Sequence, residues 1–242
     1  GFSYPALDQL ANHASRLRNR TRGRLSAPIV LRVPYGGGIG APEHHSESPE
    51  AMFAHVPGLR VVVPSSPARA YGLLLAAIDD PDPVVFFEPK RLYRAISEEV
   101  EDDGRPIPLD RCITLREGSD LTLVSWGAAL VETLSAADRL AEQGVGAEVI
   151  DVATLKPLDL ETILESVGRT GRCVIVHEAP RAVGVGAEIA AGLAEAGLDR
   201  LVAPVERVTG WDTIVPFPRL EAHYLPSEAR ILDAAQRSLA YA

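Results

Sequence analysis

The sequence predicts an α/β fold in two domains, each a mainly parallel sheet flanked by helices. Three observations carry this. Short, continuous apolar runs read as strands buried on both faces. They alternate with longer stretches at helical spacing, the rhythm of crossover connections. Midway the rhythm stops across an acidic stretch containing Gly and Pro, then restarts.

The first domain, residues 1–95, opens on a helix. Leu7, Leu10, Ala11 and Ala14 share one face behind Pro5, and Arg16, Arg18, Arg20, Arg22 and Arg24 form its solvated end. Ala27 to Val33 is a buried strand. Residues 34–50 are a long loop holding four glycines. A short helix follows, opened by Ser48 with Pro49 as its first residue. Leu59 to Pro64 is a strand. The next helix has Ser66 as cap and Pro67 just inside, and Pro83 to Glu88 is another strand. Only three strands are visible, so this half should expose apolar surface unless something covers it.

Residues 96–118 predict a linker, part of which can form an edge hairpin. The second domain, 119–242, begins with the strand LTLVSWG and a helix ended by Gly144. GAEVIDVATL is a strand, LDLETILESVGRTG a helix and CVIVHEAP a strand. VGAEIAAGLAEAGL is a helix and APVERVTG a strand. EAHYLPSEARILDAAQRSLAYA closes the chain as one helix.

With 46 % hydrophobic and 24 % charged residues the composition is that of a globular protein. No apolar run reaches the roughly 18 residues of a membrane span. The start, GFSYPALDQL, has neither signal- nor transit-peptide character. A net charge of −9 without a polybasic patch disfavours nonspecific nucleic-acid binding. Cys112 and Cys173 stand far apart without metal-ligand spacing, which fits a reducing cytoplasm. The chain begins with Gly1 and its single Met is Met52, which points to a processed, trimmed or partial chain.

Several groups are candidates for chemistry. The GGGIG of Gly36 to Gly40 reads as a phosphate cradle or as an active-site loop needing positive φ. Glu43, His44, His45 and Glu47 adjoin it. A histidine there is placed to transfer protons near neutral pH, and adjacent residues do not readily converge on one metal. His55 reads as a core or cap residue. His177-Glu178 ends a strand, where it either binds a ligand or fixes a loop by hydrogen bonding. GVGAEI opens a helix and reads as an anion site or a tight turn. Asp79, Asp80 and Asp82 form a capped turn with Pro81 and Pro83, or an oxygen site for a hard cation.

HHSESPEAMFAHVPGLRVVVPSSPARAYGLLLAAIDDPDPVVFFEPKRLYRA closely resembles the β subunit of the thiamine-diphosphate-dependent 2-oxo acid dehydrogenases, the pyruvate, acetoin and branched-chain enzymes. TLKPLDLETILESVGRTGRCVIVHEAP, GAEIAA, VTGWDT and YLPSE resemble the transketolase-type C-terminal domain of the same subunit, so the resemblance covers essentially the whole chain. It implies a partial pyrimidine-binding domain followed by a complete C-terminal domain. GFSYPALDQL matches a helix well inside the family's first domain. The glutamate that activates the cofactor's aminopyrimidine lies ahead of that helix in the family, and no residue here takes its role.

By position, the resemblance implies that His45 lines the channel to the reactive carbon and supplies a proton during acyl transfer to the lipoyl dithiolane. Phe2 matches the aromatic residue that packs on the pyrimidine. Ile29, Ala77, Ile78, Asp80 and Asp82 match a structural potassium site of some relatives. Glu43 and Glu47 replace the commoner His and Gln, and Trp211 replaces a usual Pro. The α subunit holds the diphosphate and Mg²⁺, the active unit is an α₂β₂ heterotetramer, and the C-terminal domain of β docks the dihydrolipoyl acyltransferase core. Two rivals stand beside this reading: a truncated, non-catalytic assembly subunit or pseudoenzyme, and another transketolase-type enzyme such as a deoxyxylulose phosphate synthase.

Overall fold

A computed structural model describes residues 1–241. The opening segment contains two short helices, α1 (Leu7–Asn12) and α2 (Leu17–Arg20), rather than one long one. His13, at φ −122° and ψ −68°, interrupts them. Strand β1 (Val30–Tyr35) leads into the glycine loop and then α3 (Glu50–Ala54). Ser48 does not cap α3; Pro49 stands at its N-cap, where no side chain bonds to the first turn. After β2 (Arg60–Val62), α4 (Pro67–Asp79) starts as the sequence predicts, with the Ser66 hydroxyl accepting from the Arg69 N–H. β3 (Val84–Pro89) and α5 (Leu92–Ala95) complete the first half.

Residues 96–112 are strapped to α4 rather than free. The Ala68 N–H donates to Glu98, the Tyr71 hydroxyl to Asp102, and the Ile107 N–H to the Gly72 carbonyl. Gly72 is required for that approach, since a Cβ there would sit 2.6 Å from the Ile107 side chain. Strand β4 (Ile113–Arg116) already belongs to the second sheet as an antiparallel edge, but it pairs with the strand at residues 147–151 rather than with one adjacent in sequence, so the expected hairpin does not form.

The second half runs β5 (Leu121–Ser125), α6 (Leu130–Glu142), β6 (Ala147–Asp151), β7 (Thr154–Lys156) and α7 (Leu160–Thr170). It continues with β8 (Cys173–Pro180), α8 (Val185–Ala196), β9 (Glu206–Gly210), α9 (Pro218–Tyr224) and α10 (Glu228–Leu239). The single final helix expected from the sequence is therefore two. Pro226 ends the first by holding Leu225 extended, and the Ser227 hydroxyl caps the second by accepting from the Arg230 N–H.

The first sheet has the order β1-β3-β2-β7 and the second β4-β6-β5-β8-β9. The β1, β2 and β3 strands are parallel, as are β6, β5, β8 and β9. The fourth strand of the first sheet is a departure from the division at residue 119. β7 lies within the second stretch of sequence but pairs antiparallel with β2. One buried cluster also spans both halves, joining Phe53, Val61 and Phe87 to Val124, Trp126 and Ile175. The second half thus covers much of the apolar surface of the first. Phe2, Ile29, Ile39 and Ile78 stay at least half exposed. Cys112 and Cys173 are both free.

Candidate functional site

The glycine loop follows the C-terminal end of β1, and its backbone needs glycine. Gly36, Gly38 and Gly40 have φ of +85°, +86° and +68°, a region costly for residues carrying a Cβ. Two carboxylates of the second half occupy its N–H groups. Glu178, on β8, accepts from Gly37 at 3.0 Å. Glu221, on α9, accepts from Gly38 at 2.7 Å and from Gly40 at 3.0 Å. The acceptors cradled by this loop are therefore the protein's own side chains. Of the two readings of His177-Glu178, the loop-fixing one describes Glu178.

Behind the loop lies a buried polar layer. Burial pushes Glu178 up to about 7, against the Arg91 charge and the Gly37 hydrogen bond, which pull it down. Burial likewise raises Glu50 to about 7, although the Trp126 indole N–H donates to it at 3.3 Å. Arg91 forms a two-pronged contact with Glu132 and donates to the Ala128 carbonyl at 2.8 Å. The His177 ring stacks on Trp126, with centroids 4.9 Å apart, and burial lowers its pKa to about 3. The first turn of α8 fits closely over that ring, because a Cβ on Gly186 would fall 2.6 Å from Nε2. GVGAEI is thus the tight turn rather than an open anion site.

Beyond Gly40 the chain folds into a short turn, Glu43–His45, tied to itself by the Ser46 hydroxyl donating to the Ala41 and Pro42 carbonyls. Lys90 donates to the His45 carbonyl. The His45 ring lies 5.5 Å from Phe2 and 4.0 Å from His44, centroid to centroid. Desolvation, then electrostatic repulsion from His44, the amino terminus and Lys90, hold its pKa below the ordinary imidazole value. Glu47 accepts from the Tyr4 hydroxyl at 2.5 Å, so the residue replacing the family's Gln is engaged away from the ring. His55 is exposed at the C-cap of α3 and takes no part.

Phe2 and His45 line one cavity of about 500 Å³, walled also by Leu31, Val33, Ile39 and Lys90. An aromatic side chain over an apolar floor suits a flat heterocycle, while among the described residues no carboxylate lines this cavity. A larger cavity, about 680 Å³, lies between Tyr4, Met52, Val183, Ile214 and Tyr224. Its walls are mostly apolar and it contains neither Phe2 nor His45, so the smaller one is the better candidate for chemistry.

Of the expected potassium residues, Ala77 and Ile78 lie in the last turn of α4, Asp80 and Asp82 in the turn after it, and Ile29 just ahead of β1. The C-cap Asp80 is extended, at φ −72° and ψ 129°, and within the last turn Ala77 is buried whereas Ile78 is exposed. The Ile29 carbonyl, one strand away, accepts from the Val84 N–H at 2.8 Å. Asp80 pairs with Arg60 at 2.6 Å and accepts from the Asp82 N–H, while Asp82 pairs with Arg18 at 2.7 Å. Among the described residues no group of three or more His, Cys, Asp and Glu is arranged to hold a metal. A cation here would rest on carbonyl oxygens.

Sequence reasoning missed Glu221, Glu50 and Arg91. A lone Glu in a helix or loop reads as solvated, and only the packing of the two halves buries these.

Fold and site together define a transketolase-type chain, a pyrimidine-binding half carrying the aromatic cavity and a C-terminal half bracing its loop. The chain matches the family "Transketolase, pyrimidine binding domain" over residues 2–96 and "Transketolase, C-terminal domain" over 110–231. It is 46 % identical over 231 residues to the pyruvate dehydrogenase E1 component subunit beta of Acholeplasma laidlawii, covering 96 % of this chain and 71 % of that protein. It is 47 % identical over 241 residues to the 3-methyl-2-oxobutanoate dehydrogenase subunit beta of Mycobacterium tuberculosis (strain ATCC 25618 / H37Rv), covering 99 % and 69 %. A solved chain described as "Split gene transketolase, inactive beta4 tetramer" superposes with a TM-score of 0.74 at 26 % identity, over 98 % of this chain and 74 % of that one. The protein belongs to the family of β subunits of the 2-oxo acid dehydrogenases.

Proposed function

We propose that the chain serves as a β subunit in decarboxylating a 2-oxo acid on thiamine diphosphate and passing the acyl group to the lipoyl group of a dihydrolipoyl acyltransferase. One observation carries this: the histidine and the aromatic residue assigned from the sequence meet in one cavity beside a braced glycine loop. Bound thiamine diphosphate would supply the electron sink for decarboxylation. Phe2 would pack against its pyrimidine ring. The diphosphate and Mg²⁺ would be held by an α subunit, in an α₂β₂ heterotetramer. Residues 1–95 and 119–242 would serve as pyrimidine-binding and C-terminal domains, joined by 96–118. The two free cysteines suit the cytoplasm, and no helix of the described residues is long and apolar enough to cross a membrane.

His45 acts at the second half-reaction. Opening the lipoyl disulfide leaves one sulfur bonded to the acyl group and the other as a thiolate. A protonated imidazole at the cavity mouth gives that thiolate its proton. Lys90, by holding the His45 carbonyl, fixes the turn that presents the ring. At the end of α4 the carbonyls of Ala77 and Ile78, with Ile29, Asp80 and Asp82, would take up a structural potassium ion, an oxygen set that suits a hard cation.

The test is complementation. The 242-residue chain alone is expected not to decarboxylate any 2-oxo acid, because the diphosphate half of the site is assigned to the α subunit and no carboxylate lines the cavity to activate the cofactor. An α subunit should co-purify from the native source, and that complex should decarboxylate. Cofactor-dependent turnover by the isolated chain would overturn the division of labour.

A further inference from the structure

We propose that Glu178 and Glu221 are positioning residues for acyl transfer: carboxylates of the C-terminal half that clamp the glycine loop and thereby place His45. This deepens the proposed role of His45 and rests on it.

The argument is geometric. Three amides of one loop, those of Gly37, Gly38 and Gly40, point to two carboxylates more than 130 residues further along the chain. Glu178 is 5 % exposed and Glu221 6 %, so water does not readily replace them. The contact is close as well as polar. A Cβ on Gly37 would stand 3.2 Å from Glu221, and one on Gly36 3.3 Å from Glu178. Beyond Gly40, residues 41–46 bond to one another, so the turn bearing His45 moves as a unit. The Gly36 N–H donates to the Glu47 carbonyl at 3.0 Å, tying the far end of that unit back to the same loop. Where the glycines sit therefore decides where the imidazole sits. Neither carboxylate lines the cavity, so neither touches the reacting atoms.

The experiment uses the native complex with its α subunit and compares Glu221→Ala, Glu221→Gln, Glu178→Gln, His45→Ala and the double variant Glu221→Ala/His45→Ala. Two readings are taken: amide hydrogen exchange across residues 36–47, and rates of decarboxylation and of acyl transfer to a lipoyl domain. A misplacement of about 1 Å can cost on the order of 10²-fold. Glu221→Ala should speed exchange at Gly38 and Gly40 and slow acyl transfer by roughly 10- to 10²-fold, leaving decarboxylation nearly unchanged. Glu178→Gln, whose amide carbonyl still accepts from the Gly37 N–H, should keep both readings near the parent, whereas Glu221→Gln, which keeps one acceptor oxygen for two N–H groups, should fall between the parent and Glu221→Ala. The double variant should be no slower than His45→Ala, because a group that acts through His45 has nothing left to place. Unchanged exchange in Glu221→Ala, or additive losses in the double variant, would overturn the proposal. A selective loss in His45→Ala without one in Glu221→Ala would overturn the clamp alone. No selective loss in His45→Ala would overturn the clamp's role and the histidine assignment together.

Discussion

Glu178→Gln offers the most direct test of the buried layer, because the parent's cost can be worked out in advance. The carboxyl has an ordinary value of 4.5 and is pushed up to about 7 in the folded chain, chiefly by burial. Between those values the folded protein keeps a proton that the unfolded chain has released. Raising the pH through that window therefore favours unfolding. One pKa unit corresponds to about 1.4 kcal/mol, so ionising Glu178 costs the fold about 3 kcal/mol once the pH is well above 7. Glutamine removes the titration and keeps an oxygen for the Gly37 N–H. Urea unfolding of parent and variant at pH 4, 5, 6, 7 and 8 gives the comparison. The variant should gain on the parent as the pH rises, by about 3 kcal/mol in total. Arg91 works against burial here and Glu50 works with it, so Glu50→Gln should show the same sign. Parallel pH profiles for parent and Glu178→Gln would refute the reasoning, since they would mean that the carboxyl titrates alike in both states.

Other outcomes follow from the same geometry. In the native complex, His45→Ala should lose about 10²- to 10⁴-fold in acyl transfer to a lipoyl domain, the usual worth of general acid catalysis, while decarboxylation with an artificial electron acceptor falls much less and His44→Ala is milder in both. Because the pKa of His45 lies below the ordinary value, acyl transfer should fall with rising pH from a lower midpoint than a free imidazole would give, and Glu43→Gln, which removes a charge that raises it, should lower that midpoint further. The parent should melt at higher temperature in potassium than in potassium-free buffer, and Asp80→Ala should abolish that difference. The comparison between buffers is the readout, because Asp80→Ala also frees Arg60.

Much of the fold was legible because its signals are local. Ser66 before Pro67 announces α4, and Gly144 and Gly171 end α6 and α7 in left-handed turns. Pro226 followed by Ser227 was an equally local signal that the last helix is two, and an apolar pattern running through both had masked it. The site was legible only in part. His45 and Phe2 stand out through their motifs, whereas their meeting at 5.5 Å depends on how the loop folds. Glu221 gives no sign in sequence, because its partners are backbone amides far away along the chain. Strand β7 was hidden for a related reason. Three residues are too few to declare a strand, and its neighbour is chosen by the packing of two sheets rather than by its own pattern.

That short strand has a consequence for how the molecule comes apart. Residues 97–106 are exposed and acidic, an inviting place for a protease. In a beads-on-a-string protein a cut there would release two separate pieces. Here the C-terminal piece contributes the outer strand of its neighbour's sheet and shares a dry interior with it. A nicked molecule should therefore migrate as one particle under native conditions and fall into two bands only in denaturant. Two separately expressed halves should also find each other and reassemble, with the glycine loop restored only when both are present.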